Sequence, residues 1–214
     1  MIKENSCIKI DYTGYIKDDR RIFDTTVASE AKKGEVYSDK IDYSPAIIIV
    51  GKGLVVKGLD ESFIGKKEGE SYTLELSHEK AFGTKNNKLL RLIPSTYFRK
   101  NNIEPFPGMQ VYIDNVPGTV RTVSPGRVIV DFNHPLAGKD VIYNVKIVKE
   151  IVDDLEIAKF LTESFFGAKN AEITIKNNIV EVKTKKEIPK TLEDAFTKTL
   201  KETLKKEYSI KFVV

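Results

Sequence analysis

The stretch that decides the fold is Val50-Gly51-Lys52-Gly53-Leu54-Val55-Val56-Lys57-Gly58-Leu59-Asp60-Glu61. It opens with two glycines, and its last residues begin a helical pattern that runs from Leu59 to Ile64 before Gly65. The two opening glycines suggest a dinucleotide loop, but the third glycine of that fingerprint would fall at position 56, which is valine. The spacing excludes that loop and predicts a strand exit that leads into one short helix.

Strand patterns flank this helix on both sides. Residues 8–12 and 72–76 alternate apolar and polar side chains, and residues 47–50 form a short apolar run. A period of two predicts half-buried strands, and Thr13-Gly14 signals the end of the first one. The first 80 residues are therefore expected to form an antiparallel sheet that carries one short helix.

A polar stretch, residues 84–88, interrupts this pattern and indicates the start of another module. A short helix capped by Ser95 is expected next. Strand patterns follow over residues 110–113, 119–123 and 127–132, with turns at Pro117-Gly118 and at residues 124–126. Because the alternating residues 141–148 need a sheet to join, we interpret residues 84–132 as a small β-rich domain. It is inserted into a first domain made of residues 1–83 and 133–152.

The third region, residues 153–214, has a pattern of its own. A helix begins at Asp153-Asp154 and ends at Gly167, and Asn177-Asn178 marks a hairpin between two strands. A second amphipathic helix opens at Thr191, and Tyr208–Val214 alternates like a closing strand. The chain is thus predicted to be α+β. It should combine an antiparallel sheet around a short helix, an inserted β-rich domain and a carboxyl-terminal α-β-β-α-β domain.

Composition narrows the classes of function. Hydrophobic residues make up 41% of the 214 residues, enough to bury a core. The 35 basic and 31 acidic residues leave a net charge of +4 and alternate along the chain, so no nucleic-acid partner is expected. No run approaches the ~20 apolar residues that span a bilayer, so no membrane partner is expected either. The single Cys7 cannot form an internal disulfide, which favours a cytoplasmic protein.

The sequence offers neither a set of metal ligands nor an activated nucleophile. His78 and His134 are the only histidines and lie far apart without a nearby cysteine, so we expect no metal and no other cofactor. A Gly-x-Ser-x-Gly elbow and a Walker-type loop are both absent from the sequence. What remains is a scattered set of apolar and aromatic residues with one acidic position, Asp24.

Several separated blocks agree in order and spacing with one family. Phe23-Asp24, the stretch from Val50 to Glu61, residues 65–70 and Ala81-Phe82-Gly83 together resemble the FKBP-type peptidyl-prolyl isomerases. The insertion after Gly83 and the return through residues 133–138 resemble the SlyD-like branch, in which a chaperone domain is inserted in the flap. The additional carboxyl-terminal domain is similar to that of the long archaeal form.

This resemblance implies an isomerase that accelerates rotation of X-Pro bonds and binds unfolded or nascent proline-containing chains. The Val56 N–H would hold the substrate carbonyl, and Asp24 would lie beside the twisted carbonyl and order Tyr12. The implied catalytic residues are Tyr12, Phe23, Asp24, Val55, Val56, Leu59, Phe82 and Tyr143. The implied substrate-binding residues are Ile48, Phe106, Met109, Val111, His134 and Leu136.

Two departures from the family pattern leave an alternative open. Many members have tryptophan where Leu59 stands and tyrosine where Phe82 stands, so a catalytically weak FKBP-like holdase is the competing interpretation. Phe106, Met109 and Val111 could simply form the core of the insert. The last strand could pair two copies of the carboxyl-terminal domain as a homodimer, or that domain could bind clients while the protein stays monomeric.

Overall fold

The computed structural model describes residues 1–167, 171–204 and 206–213. Its strands are β1 (Cys7–Ile16), β2 (Ile22–Thr25), β3 (Ala46–Ile49), β4 (Ser71–Leu76), β5 (Leu90–Pro94), β6 (Gln110–Ile113), β7 (Val116–Ser124), β8 (Arg127–Asp131), β9 (Val141–Ile151), β10 (Ala171–Lys176), β11 (Ile179–Thr184) and β12 (Ser209–Val213). Its helices are α1 (Ala28–Lys33), α2 (Lys57–Ser62), α3 (Ser95–Lys100), α4 (Asp154–Phe166) and α5 (Lys190–Thr203). The predicted α+β class is confirmed.

The elements form two compact units. Residues 1–76 and 141–214 make the first unit, and residues 77–140 make the second. The division into three domains expected from the sequence stays a prediction. Across the described residues, no helix is both long and apolar enough to cross a membrane.

An antiparallel sheet in the order β2-β1-β9-β4 forms the centre of the first unit, and β3 also pairs with β1. The end of the first strand expected at Thr13-Gly14 is wrong, because β1 continues to Ile16. Gly14 is paired with Asp24 on β2 and with Tyr143 on β9. Pairing on both sides overrides the local turn signal.

Two helices of this unit differ from expectation. Helix α2 begins at Lys57 rather than at Leu59, because the Val56 carbonyl accepts the N–H groups of both Leu59 and Asp60, each at 3.0 Å. Helix α1 was not expected, since its six residues bury only Ala31 and so carry no apolar period.

The second unit contains a four-stranded antiparallel sheet in the order β5-β8-β7-β6. The turn expected at Pro117-Gly118 is wrong, because both residues lie within β7. The turn falls instead at Asp114 and Asn115, whose φ angles are 52° and 63°. β7 pairs with β8 only from Thr119 onward, so the missing N–H of Pro117 breaks no bond on that side. Strand β5 was also missed.

The carboxyl-terminal elements follow the predicted α-β-β-α-β order. Asp153 caps α4 by accepting the Glu156 N–H at 2.7 Å, as its position before the apolar pattern indicated. Asn177 and Asn178 form the predicted hairpin turn with φ angles of 49° and 58°. β12 joins β11 in parallel and is described as far as Val213. Val214, the last residue of the expected strand, lies outside the described residues.

These elements share a core with the first sheet. Cys7 is paired with Ile49 on β3 and with Ile151 on β9, so the three side chains lie on one face. All three belong to one buried cluster with residues of the carboxyl-terminal elements: Ile157, Ala158, Leu161, Ile173, Val180, Val182, Phe196, Leu200 and Leu204. The carboxyl-terminal region thus covers one end of the face opposite Tyr12.

Candidate active site

The centre of the candidate site is a hydrogen bond between the first two strands. The Tyr12 hydroxyl donates to the Asp24 carboxylate at 2.7 Å, because the β1–β2 register places Gly14 opposite Asp24. Burial raises the pKa of Tyr12, and the hydrogen bond to Asp24 raises it further. The phenol therefore remains a protonated donor at neutral pH and fixes the direction of an exposed carboxylate.

Two further rings make this neighbourhood aromatic. Tyr143 on β9 meets the Tyr12 ring edge-on with centroids 6.0 Å apart, and it meets Phe23 with centroids 5.7 Å apart. Tyr143 is only 4% exposed, and burial followed by the negative charge of Asp24 raises its pKa. The three rings provide an apolar wall with one carboxylate beside it.

Gly14 makes room for one of these rings. A Cβ atom at position 14 would lie 2.5 Å from the Phe23 Cζ atom. The Phe23 ring therefore lies directly on the backbone of β1, and any side chain at position 14 would displace it.

The loop before α2 is held by an acid that sequence reasoning missed. Asp60 is 8% exposed and accepts the N–H groups of Gly51 at 2.9 Å and Gly53 at 3.0 Å. Both glycines have left-handed φ angles, 85° and 67°. The sequence signal for this role was an acidic residue in the first turn of a helix that follows a Gly-x-Gly pattern. Asp60 thereby fixes the backbone that enters Val55.

Val56 ends this loop with an unused donor. Its carbonyl caps α2, while its N–H donates to no acceptor within residues 1–167, 171–204 and 206–213. The side chain is half-buried, as is that of Val55. An N–H group in this setting can bind a carbonyl oxygen of a ligand.

Besides Tyr143, two predicted residues of this unit are buried. Ile48 is 4% exposed and is paired with the fully buried Ile8, and its predicted role in substrate binding stays a prediction. Leu59 is 1% exposed on α2. Its predicted place at the floor of a pocket stays a prediction.

The second unit holds the remaining predicted residues. The rings of Phe82 and His134 are stacked, with centroids 4.8 Å apart and an angle of 3° between the planes. The Leu136 N–H lies 3.2 Å from His134 Nδ1 and donates to it, so the proton of the neutral imidazole is on Nε2.

The three predicted residues of the insert differ in exposure. Phe106 is 60% exposed, and Met109 is partly buried against the core of the insert. Val111 is 4% exposed and belongs to that core, because it alternates inward with Ile113 along β6. The expectation that Val111 binds substrate stays a prediction.

Neither a metal centre nor a reactive thiol is evident in the described part of the chain. There, no group of three or more His, Cys, Asp and Glu side chains is placed to hold a metal ion. Burial, followed by the charge of Glu156, raises the pKa of Cys7 to about 12. A thiol in this state is a poor nucleophile.

An aromatic wall, an oriented carboxylate and an unpaired backbone donor suit the binding of a peptide without covalent chemistry. Residues 1–96 match the model of the FKBP-type peptidyl-prolyl cis-trans isomerases, and residues 91–136 match the FKBP26 IF domain. The chain belongs to the FKBP-type peptidyl-prolyl cis-trans isomerase family, and SlyD proteins are among its relatives.

Individual relatives support this assignment. The short-type peptidyl-prolyl cis-trans isomerase of Methanocaldococcus jannaschii is 32% identical over 147 residues, which cover 69% of this chain and 92% of that protein. SlyD of Treponema pallidum is 30% identical over 171 residues, which cover 76% of this chain and 88% of that protein. The predicted family and enzyme class are confirmed, and the chain is a peptidyl-prolyl cis-trans isomerase.

Among solved structures, that of the three FKBP domains of wheat FKBP73 covers 71% of this chain at 17% identity with a TM-score of 0.36. The chain spans 40% of the length of that protein chain.

Proposed function

We propose that Tyr12, Phe23, Asp24, Tyr143 and the Val56 N–H act directly on the X-Pro bond. Rotation of this bond crosses a barrier of about 18 to 20 kcal/mol, because amide resonance is lost in the twisted state. The twisted amide is less polar than the planar one, so aromatic walls that exclude water favour it. The Tyr12–Asp24 hydrogen bond, set against the buried Tyr143 ring, is the observation that carries this proposal.

Two polar groups complete the proposed mechanism. The Val56 N–H binds the substrate carbonyl, and its lack of a partner among the described residues supports that role. Asp24 lies beside the twisting carbonyl and is held there by the Tyr12 hydroxyl. A protease-coupled assay on a prolyl tetrapeptide, with the wild-type protein beside Asp24→Ala, tests the assignment. Equal rates for the two proteins would remove Asp24 from the mechanism.

We also propose that the insert binds unfolded or nascent proline-containing chains. Leu92 on β5 is paired with Ile129 on β8, and their side chains are 57% and 37% exposed. Tyr112, which lies on β6, is 71% exposed, and Phe106 is 60% exposed. Neighbouring apolar side chains on a sheet surface are a feature of protein-binding surfaces. This surface would raise the local concentration of proline substrates.

Refolding of a proline-limited protein tests the coupling. A chain from which residues 84–132 are deleted should retain turnover of a short prolyl peptide while losing most of its effect on the refolding rate. An equal loss on both substrates would mean that the deletion damaged the isomerase.

The competing function is that of a holdase with little catalysis. The observation that favours it is the aliphatic side chain of Leu59 on α2, where that residue is 1% exposed. The tetrapeptide assay separates the two functions. A wild-type rate equal to the uncatalysed rate, with suppression of aggregation retained, would favour the holdase.

Self-association through the carboxyl-terminal sheet is a separate proposal. β12 pairs with β11 on one side only among the described residues. Because Ser209 donates its N–H to Asn178 on the β11 side, the alternate N–H groups of Ile210 and Phe212 point to the open edge. Sedimentation equilibrium of the full chain should give the mass of two chains, and those two amides should exchange more slowly as concentration rises. The mass of one chain at every concentration would contradict the proposal and favour a monomer.

A further inference from the structure

We propose that Glu202 of α5 is a positioning residue for the loop that carries Val56. The carboxyl-terminal region would thereby set the affinity of the isomerase site. This inference rests on the proposed role of the Val56 N–H in binding the substrate carbonyl.

The strand that leads into the loop is anchored from the carboxyl-terminal side. Ile49, the last residue of β3, is 1% exposed and belongs to the buried cluster that contains Leu200 and Leu204. Ile47 packs against the same cluster. Loss of the carboxyl-terminal packing would therefore release the end of β3, one residue before Val50.

An ion pair continues this contact into the loop itself. Lys52 lies between Gly51 and Gly53, and its ammonium pairs with the Glu202 carboxylate near the end of α5. The two side chains are 24% and 37% exposed, so the pair is partly shielded from water. The hydrogen bond to Lys52 lowers the pKa of Glu202, whose carboxylate is thus charged at neutral pH.

The loop is held from its other side by Asp60. That carboxylate accepts the two flanking N–H groups, of Gly51 and of Gly53. The Lys52 side chain therefore joins α5 to a backbone segment that is already ordered from α2. Three residues separate Lys52 from Val56, so a shift at Lys52 reaches the proposed donor through a short, bonded path.

The size of the ion pair's contribution decides which measurement should detect its loss. A partly exposed ion pair contributes between a few tenths of a kcal/mol and about 1 kcal/mol. Loss of the pair should therefore shift loop populations and affinity while leaving the global unfolding temperature almost unchanged.

The test compares Glu202→Gln with the wild-type full chain. We expect KM for the prolyl tetrapeptide to rise about threefold with little change in kcat, the size such an ion pair supports. The amide resonances of Gly51, Gly53 and Val56 should shift in the ¹⁵N spectrum. The charge-swapped pair Lys52→Glu with Glu202→Lys should restore KM and the Val56 resonance.

A matched control lies on the same helix. Asp194→Asn removes an ion pair within α5, 3.3 Å long, between Asp194 and Lys190, the first residue of that helix. It should leave KM and the three amide resonances unchanged. Wild-type KM and resonances in Glu202→Gln would overturn the inference, as would a fall in unfolding temperature with no KM change. If instead Asp24→Ala turns over the tetrapeptide as fast as the wild type, the proposed catalytic site is wrong, and this outcome does not depend on the result for Glu202→Gln.

Discussion

Cys7 lies opposite Ile151 in the antiparallel pairing of β1 with β9, and both side chains are buried in the cluster that contains the carboxyl-terminal helices. The single thiol of the chain is therefore covered by the carboxyl-terminal region. Removal of that region would expose apolar side chains of the first sheet. The mass of the shortened chain in solution would then reflect association through this newly exposed surface as well as through any natural interface.

The reactivity of Cys7 should report whether this cover is closed. The thiol is 2% exposed and its pKa is raised to about 12, so a thiol reagent at pH 8 should modify the full chain only as fast as the protein opens. A chain that ends at Ile151 should react at least tenfold faster. The absorbance of a chromogenic disulfide reagent measures both rates, with the denatured protein as the upper limit. Modification of the native full chain at that limiting rate would contradict the packing.

Loss of the Asp24 carboxylate should slow catalysis without unfolding the protein. We expect Asp24→Ala to lower kcat/KM for a prolyl tetrapeptide at least tenfold, on the order of 1.4 kcal/mol of transition-state stabilisation. Tyr12→Phe should produce a smaller loss, because it removes only the hydroxyl that orders Asp24. Thermal unfolding monitors the fold of each variant.

The Phe82→Tyr variant tests a change that should not slow catalysis. It adds the hydroxyl that the resemblance to the family leads us to expect at this position, so its rate should equal or exceed that of the wild type. A rate well below the wild-type rate would show that the stacked pair of Phe82 and His134 does not tolerate the hydroxyl.

Gly14→Ala should damage the site through Phe23. The new Cβ would lie 2.5 Å from the Phe23 ring, which must move off the strand. We expect kcat/KM to fall severalfold, and we expect Gly14→Ala with Phe23→Leu to lose no more than Phe23→Leu alone, since both changes act on one ring. Additive losses would mean that Gly14 acts elsewhere.

Exposed residues of the insert should affect refolding and not peptide turnover. Leu92→Asn with Ile129→Asn removes two neighbouring exposed side chains, so catalysed refolding of a proline-limited protein should slow while tetrapeptide turnover stays constant. Gln110→Asn, also exposed on this sheet, is the matched polar control. Unchanged refolding would remove Leu92 and Ile129 from the client surface.

Local chemistry explains which elements could be predicted. Asn177-Asn178 was recognised because asparagine tolerates the left-handed conformation that both residues adopt. The Asp153 cap followed from one side chain and the N–H group of Glu156. By contrast, Pro117 belongs to a strand because only β6 pairs at that point, a fact that depends on where β8 ends.

The residues of the candidate site could be predicted mainly from the resemblance to the FKBP-type family. Tyr12, Phe23 and Tyr143 come together only because β2, β1 and β9 are neighbours in the sheet, and alternation alone does not reveal strand order. The same limit hid Asp60, whose partners lie in a loop with left-handed glycines. It also hid the contact between Lys52 and Glu202, which are separated by most of the chain.

Stability at alkaline pH should depend on Tyr143. Its native pKa is raised above the ordinary value of 10.0, so the protonated form stabilises the native state. This contribution is fully present below pH 10 and is lost as pH rises through the raised native pKa, because the unfolded chain releases the proton first. Between these limits, one such group lowers the free energy of unfolding by about 1.4 kcal/mol per pH unit.

Urea unfolding between pH 9 and pH 11.5 should therefore show a steeper decline in the free energy of unfolding for the wild type than for Tyr143→Phe. Tyr112→Phe, which changes a tyrosine on β6 that is 71% exposed, serves as the matched comparison. Parallel curves for the wild type and Tyr143→Phe would show that Tyr143 ionises equally well in the native and unfolded chains.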